Sequence, residues 1–232
     1  MKVFAISDFH LSNVVNKPMD LFGASWENHF SAIKQDWINK VADDDIVLIC
    51  GDFSWAMQGQ DVLADFAVFD GLKGSKVIIR GNHDYWWNTI SQVRALLPNN
   101  FFAIQNDCLR LGNVLLFGTR GWICPEDNNP MSEHDNKIYL REIERFKLSL
   151  NSMNGQRLPN DRVICMMHFP PFNSRYQDSA FIRLLIENDV DTVVYGHLHG
   201  KDCRAELIVK KYGITFYLTS CDLLCNKLVE IT

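Results

Sequence analysis

The sequence lacks several features that would each assign it to a specialised class of protein. Its seven cysteines include no Cys-x-x-Cys pair, and no internal repeat or low-complexity linker interrupts the chain. No apolar run approaches the roughly twenty residues of a membrane span. Basic residues are not in excess, since the net charge is −5, whereas a dedicated DNA-binding domain is usually basic. These absences argue against a repeat array and a membrane protein, and they disfavour a nucleic-acid partner.

What remains is the composition of an ordinary globular protein, with 232 residues of which 47% are hydrophobic and 22% charged. This length suits one large domain, and we predict a single domain over residues 1–232. Cys50 and Cys165 lie in apolar, strand-like runs, which favours free thiols in a reducing compartment. The run Met1–Ile6 is too short for the apolar part of a signal peptide. We therefore predict a cytoplasmic location.

The first hundred residues alternate apolar runs with segments of helical periodicity. The runs Val3–Ile6, Ile46–Cys50 and Val77–Arg80 are typical of buried strands. Apolar residues at steps of three and four predict helices over residues 26–41 and 62–69. This alternation indicates parallel strands joined by helical crossovers, and hence an α/β fold.

The rest of the chain mixes hairpins with further strand–helix units. Helices are predicted around residues 143–153 and 181–186, and hairpins are expected to turn at Gly112-Asn113 and Tyr212-Gly213. Strands are predicted at residues 101–104, 108–111, 114–118, 163–167, 192–195, 204–209, 214–218 and 228–231.

Polar side chains follow five of the predicted strands at the point where each strand ends. They are Asp8 and His10, then Asp52, then Asn82, His83 and Asp84, then His168, and finally His197 and His199. Five of the seven histidines are among them, and we interpret the other two, His29 and His134, as hydrogen-bonded loop residues. Because parallel strands share one carboxyl edge, we expect the five loops to converge there.

A set of imidazoles, carboxylates and one amide without a thiolate suits divalent ions such as Mn²⁺, Fe, Zn²⁺ or Mg²⁺. The set has more donors than one ion needs, and Asp52 stands alone between donor-rich loops, where its two oxygens could bridge two ions. Two ions roughly 3.5–4 Å apart can clamp a phosphoryl group during an in-line displacement. The residues therefore predict a two-ion site at this edge of the sheet.

The motifs occur in an order that resembles the calcineurin-like metallophosphoesterase superfamily over nearly the whole chain. They are Asp8-x-His10, Gly51-Asp52, Gly81-Asn82-His83-Asp84, His168 and Gly196-His197-x-His199. The resemblance implies a four-layer αββα sandwich of two mixed β-sheets flanked by helices, with a dimetal site at the strand ends. It also implies a stand-alone phosphohydrolase that cleaves a small or modest phosphomonoester or phosphodiester, and it favours Mn²⁺ or Fe as the native metal.

The same resemblance implies a role for each motif residue. One ion would be held by Asp8, His10, Asp52 and His199, and the other by Asp52, Asn82, His168 and His197. A hydroxide that bridges the ions would be the nucleophile. His83 would be a general acid or transition-state donor, and Asp84 would orient its ring. The position of Asp84 is equally compatible with a turn or N-cap residue before the next helix. The sequence departs from many relatives at Trp55, where a second aspartate is common.

Three loop residues have two interpretations each. Arg120 either grips a phosphate in bidentate fashion or forms a salt bridge that orders the loop Thr119–Glu133. Trp55 and Trp122 either contact substrate at the rim of the site or pack against neighbours. The alternative function is a non-catalytic scaffold or interaction module on the same fold. Among substrates, nucleotides, cyclic nucleotides, phosphopeptides and nucleic-acid ends are all compatible with the motifs.

Overall fold

The computed structural model describes residues 1–232 and contains eleven β-strands and five α-helices. The strands are β1 (Val3–Ala5), β2 (Ile46–Ile49), β3 (Ser75–Ile78), β4 (Phe101–Ala103), β5 (Cys108–Leu111), β6 (Val114–Thr119), β7 (Arg162–Met167), β8 (Thr192–Tyr195), β9 (Ile208–Lys211), β10 (Ile214–Leu218) and β11 (Val229–Glu230). The helices are α1 (His29–Lys40), α2 (Val62–Ala67), α3 (Ile90–Leu96), α4 (Glu133–Asn154) and α5 (Ala180–Glu187).

The strands form two mixed sheets. The first has the order β11-β1-β2-β3-β4, and only β11 is antiparallel to its neighbour. The second has the order β5-β6-β7-β8-β10-β9, in which the four central strands are parallel and a hairpin forms each edge. Both hairpins turn at the predicted dipeptides, Gly112-Asn113 and Tyr212-Gly213.

Successive strand residues point into different apolar layers because side chains alternate across a sheet. In the first sheet, Phe4 and Val47 pack with residues of α1, α2 and α3. Their neighbours Val3 and Leu48 pack instead against residues of the second sheet. A third cluster joins the second sheet to α4 and α5. The layers are therefore helix, sheet, sheet and helix, and the predicted αββα sandwich is confirmed.

The boundaries of several elements differ from the sequence-based prediction. Helix α1 begins at His29 rather than near Trp26, because Asn28 adopts a left-handed conformation with φ of 50°. Trp26 belongs instead to a short 3₁₀ turn, Ala24–Trp26. The strand predicted from residue 204 begins at Ile208. None of the five helices combines the length and apolarity that crossing a bilayer requires.

We expect Gly118→Ala to destabilise the second sheet. A Cβ atom at Gly118, in β6, would overlap the backbone carbonyl oxygen of Met166 in the adjacent strand β7. Forcing the strands apart should lower the free energy of unfolding by about 1–3 kcal/mol or more, measurable by urea denaturation. Gly155→Ala is the matched control because Gly155 has a helical φ of −66° and an added Cβ would lie 3.4 Å from the nearest atom. A wild-type midpoint for Gly118→Ala would contradict this packing of β6 on β7.

Candidate metal centre

The five motif loops lie together at the carboxyl ends of parallel strands from both sheets. Asp8 and His10 follow β1, Asp52 follows β2, Asn82 to Asp84 follow β3, His168 follows β7, and His197 and His199 follow β8. Contacts join the loops across the two sheets; for example, the backbone N–H of His197 lies 3.1 Å from each carboxylate oxygen of Asp8. The site is therefore built at the junction of the sheets.

One group of donors consists of Asp8, His10, Asp52 and His199, whose potential ligand atoms all lie within 4.8 Å of one another. Nε2 of His10 is 3.4 Å from Nε2 of His199 and 3.7 Å from Oδ2 of Asp52. Three of the four residues are buried, and only His199 is partly exposed. This is the set that the family resemblance assigns to the first ion.

A second group of donors surrounds the side-chain oxygen of Asn82. Nε2 of His168 lies 2.6 Å from Asn82 Oδ1, and Nδ1 of His197 lies 3.0 Å from the same oxygen. The other ring nitrogen of His168, Nδ1, is 2.8 Å from the carbonyl oxygen of Cys50. A histidine that donates one N–H to a carbonyl presents the lone pair of its other nitrogen, as metal-binding histidines do. These residues belong to the set assigned to the second ion.

Asp52 lies between the two groups and uses its two oxygens differently. Its Oδ1 accepts a hydrogen bond of 2.8 Å from the backbone N–H of His83. Its Oδ2 lies 3.7 Å from Nε2 of His10 and 3.5 Å from Nε2 of His168. This Oδ2 atom is buried and has no hydrogen-bond partner in the protein, an arrangement that is costly unless a cation contacts the oxygen. Oδ2 of Asp52 is therefore the oxygen that would be available to ions held by either group of donors.

Close backbone approach explains the glycines of the motifs. A Cβ atom at Gly81 would overlap the carboxylate of Asp52, and one at Gly196 would lie 2.6 Å from Oδ2 of Asp8. The carboxylates also sit on unusual backbone, because Asp8 and Asp52 have φ values of 59° and 50°. Left-handed conformations of non-glycine residues cost free energy and cluster at functional sites. The loops are thus held by the sheets in conformations that aim both carboxylates inward.

Burial controls the charge of the centre. It raises the pKa of Asp8 well above its usual value, with a further rise from the charge of Asp52. The pKa of Asp52 is also raised, again mainly by burial. Burial lowers the pKa values of His168 and His197 to about 3. Because these imidazoles are neutral near pH 7, they cannot balance the carboxylates, and the donor set suits divalent cations.

Asp84 does not orient the ring of His83, so this expectation from the resemblance is wrong. Its carboxylate is fully buried and accepts four hydrogen bonds of 2.7–3.2 Å. The donors are the backbone N–H groups of Phe53, Ser54 and Gly81 and the indole N–H of Trp86. Asp84 therefore fastens the loop after β3 to the loop after β2. Neighbours in sequence at a sharp turn point in different directions, which explains the difference.

The ring of His83 packs against Trp55 instead, and its Nδ1 atom has no hydrogen-bond partner. The Trp55 ring lies 4.5 Å from the His83 ring and 4.8 Å from the His10 ring, nearly parallel to the latter at 22°. The ammonium of Lys17 lies 4.0 Å from the centre of the Trp55 ring, a cation–π distance. Trp55 therefore packs against its neighbours, which is one of the two roles considered for it, and it does so beside the donor residues; its contact with substrate stays a prediction.

A cavity of about 680 Å³ opens beside the first donor group, and its wall includes Trp55, His83 and His199. Trp26 also lines it, with its ring 5.8 Å from that of His199. The apolar spacing that predicts a helix from residue 26 indicates a packing role for Trp26, and the residue is indeed buried, but its ring also lines the cavity. The helical spacing of Trp26 carried no signal of this second role.

A larger cavity of about 810 Å³ borders the second donor group at His197. His197 and Phe169 form its inner wall, and their rings are 3.9 Å apart. Part of the loop Thr119–Glu133 forms its outer wall. Each donor group therefore borders a cavity that is wide enough for an organic group.

Arg120 and Trp122 line neither of these cavities. Nη2 of Arg120 lies 3.4 Å from Oε1 of the buried Glu142, and its guanidinium stacks 4.8 Å from the centre of the Trp122 ring. The indole N–H of Trp122 donates to Asp135 at 3.2 Å. Of the alternatives stated for Arg120 and Trp122, the salt bridge and the packing role are the ones observed.

Comparison with known proteins identifies the class of this protein. The sequence matches the calcineurin-like phosphoesterase family over residues 1–201, and the chain belongs to that family. Among solved structures, TT1561 of Thermus thermophilus aligns over 99% of this chain and 97% of its own, with a TM-score of 0.59 and 13% identity. A protein of unknown function from Aquifex aeolicus, AQ665, aligns over 99% and 95%, with a TM-score of 0.52 and 11% identity. These two likenesses concern the fold alone. The comparison with curated proteins finds no match.

We expect Mn²⁺ to raise the melting temperature more at about pH 7.5 than at about pH 5. A carboxyl group with a raised pKa takes up its proton sooner as pH falls, and the proton then competes with the cation. This applies to Asp8 and Asp52, whereas His168 and His197, with pKa values of about 3, are neutral at both pH values. Thermal unfolding with and without Mn²⁺ measures the effect. An equal or larger shift at the lower pH would show that the carboxylates are not ligands.

Proposed function

We propose that this protein is a dinuclear metal-dependent phosphohydrolase that cleaves a phosphomonoester or a phosphodiester. The observation that carries the proposal is the position of Asp52 Oδ2, which lies within 4 Å of a histidine nitrogen from each donor group. A single buried oxygen shared by two sets of ligands suits a pair of ions. Membership of the calcineurin-like phosphoesterase family supports the same class of reaction.

The proposal assigns the ligands by group. The first ion would be held by Asp8, His10, Asp52 and His199, and the second by Asp52, Asn82, His168 and His197. When bound, such ions activate water and neutralise the charge that develops on a phosphoryl group. We propose Mn²⁺ or Fe as the native ions, and the same oxygen and nitrogen donors accept Zn²⁺ or Mg²⁺.

His83 is proposed as the proton donor to the leaving group. Its backbone N–H is fixed on Asp52 and its ring faces the cavity beside the first donor group. Contact with the Trp55 ring, whose centre lies 4.5 Å away, restricts how the ring can turn. Asp84 would support the reaction indirectly, by holding the loop that carries His83.

The wall of the 680 Å³ cavity suggests what the leaving group is like. Met19, Phe22, Trp26 and Trp55 contribute apolar or aromatic surface there, which fits a small or modest organic group. Arg120 and Trp122 are given no substrate contacts in this proposal, because neither lines this cavity. We also propose that residues 1–232 act as one domain, and the seven free cysteines agree with a cytoplasmic location.

Hydrolysis of p-nitrophenyl phosphate and bis(p-nitrophenyl) phosphate with Mn²⁺ tests the proposed reaction. We expect turnover that a chelator abolishes, and the ratio of the two rates distinguishes a monoesterase from a diesterase. Asp52→Asn should abolish turnover and reduce bound metal while the circular dichroism spectrum is unchanged. Asp70→Asn, at an exposed position, is the control and should behave as wild type.

Full activity of Asp52→Asn would contradict the two-ion arrangement. Absence of both turnover and bound metal in the wild-type protein would favour a non-catalytic scaffold instead.

His83→Ala should retain both ions and slow hydrolysis by roughly 10²–10⁴-fold, the usual contribution of general acid catalysis. The loss should be greater for phenyl phosphate than for p-nitrophenyl phosphate, because a poorer leaving group depends more on protonation. Metal analysis and steady-state kinetics provide the two readouts. His134→Ala, on an exposed part of α4, is the control. Loss of metal from His83→Ala would mean that His83 is a ligand rather than an acid.

A further inference from the structure

Three arginines surround a small cavity that is separate from the metal centre and from the two larger cavities. The cavity measures about 40 Å³, and Arg80, Arg120 and Arg145 are among its nine lining residues. Glu142 supplies the only carboxylate. The lining therefore carries three positive charges and one negative charge.

The carboxylate of Glu142 already contacts three neighbouring side chains. Oε1 of Glu142 lies 2.6 Å from Nη1 of Arg145 and 3.4 Å from Nη2 of Arg120. Its Oε2 accepts a hydrogen bond of 2.8 Å from the hydroxyl of Thr119. Arg80 forms no salt bridge. The cluster thus holds more positive charge than its own anion can balance.

Unused hydrogen-bond donors accompany this excess of charge. The Nε atoms of Arg80 and Arg120 are buried and have no hydrogen-bond partner in the protein. Guanidinium groups stay protonated in proteins and carry donors in a fixed fork. A buried donor without an acceptor is costly, and two such donors belong to guanidinium groups that line this cavity, which favours an acceptor from outside the chain.

We propose that this cavity binds one free tetrahedral oxyanion of the phosphate and sulfate class. The arginine forks match the geometry of such an anion, and the side chains of Gln105 and Asn106 add neutral polar groups to the lining. By the measure of about 10–15 Å³ per water, the cavity has room for about three waters. That size suits a free ion rather than an organic phosphate ester.

The anion would lie beside the loops of the second donor group. Arg80 stands two residues before Asn82, and the carbonyl oxygen of Arg120 accepts hydrogen bonds from the backbone N–H groups of His168, at 3.1 Å, and Phe169, at 2.9 Å. Binding would neutralise the repulsion between arginines at the base of these loops. Anion binding at this cavity requires no hydrolase activity, so it can be tested independently of the proposed reaction.

Titration calorimetry of inorganic phosphate into chelator-treated protein tests the site, because this protein has no metal to which phosphate could bind. We expect one phosphate per chain, similar binding of sulfate, and much weaker binding of phenyl phosphate. Arg80→Gln should weaken binding roughly tenfold or more, the scale of a hydrogen bond to a charged group. Arg183→Gln, at an exposed position on α5, is the matched control and should leave the affinity unchanged.

A second variant provides an independent test in case Arg80→Gln does not fold. Asn106→Asp preserves side-chain size and tolerates the φ of 62° at this position, but it adds a negative charge to the lining and should abolish binding. Wild-type affinity in either folded variant, or no binding to the wild-type protein, would overturn the proposal. Equally tight binding of phenyl phosphate would overturn the assignment to a free ion.

Discussion

The organisation of this site depends on two buried carboxylates that no cationic side chain neutralises. Asp8 and Asp52 face each other's charge, while burial keeps the neighbouring imidazoles neutral. Isolated charge in a protein interior is strongly unfavourable. The arrangement persists because hydrogen bonds from His197 and Ser220 hold Asp8, and one from His83 holds Asp52. Affinity for divalent cations follows directly from this imbalance.

The packed sandwich holds the strand ends in place, although the loops that follow them contain residues in unfavourable left-handed conformations. Its three apolar layers bury the central strands on both faces, so these strands can end abruptly at left-handed residues and glycines without losing their register. Cys50 illustrates the connection. Its side chain packs between the sheets, while its carbonyl oxygen fixes the ring of His168. Packing at the strand end and orientation of the His168 ring thus depend on the same residue.

The layers and the positions of the donor residues were predictable, because apolar runs that end in glycine and polar residues carry a local signal. Directions of side chains were not. Asp84 follows His83 directly, yet its carboxylate points back toward the loop after β2. The clustering of Arg80, Arg120 and Glu142 around one cavity was also hidden, since these residues come from two strand ends and a helix. Residues that are distant in the sequence come together in this way only once the tertiary structure is formed.

The contact between Asp8 and His197 joins residues 189 positions apart in the chain. Closing a loop of this length costs conformational entropy before the contact contributes any stabilisation. We therefore expect contacts of this kind to form late in folding. Because Asp8 and Asp52 precede His168, His197 and His199 in the chain, the carboxylates emerge during synthesis long before the imidazoles that follow β7 and β8. A partly made chain would have Asp8, His10 and Asp52 without most of their partners. A complete set of donor residues is consequently a property of the finished molecule alone.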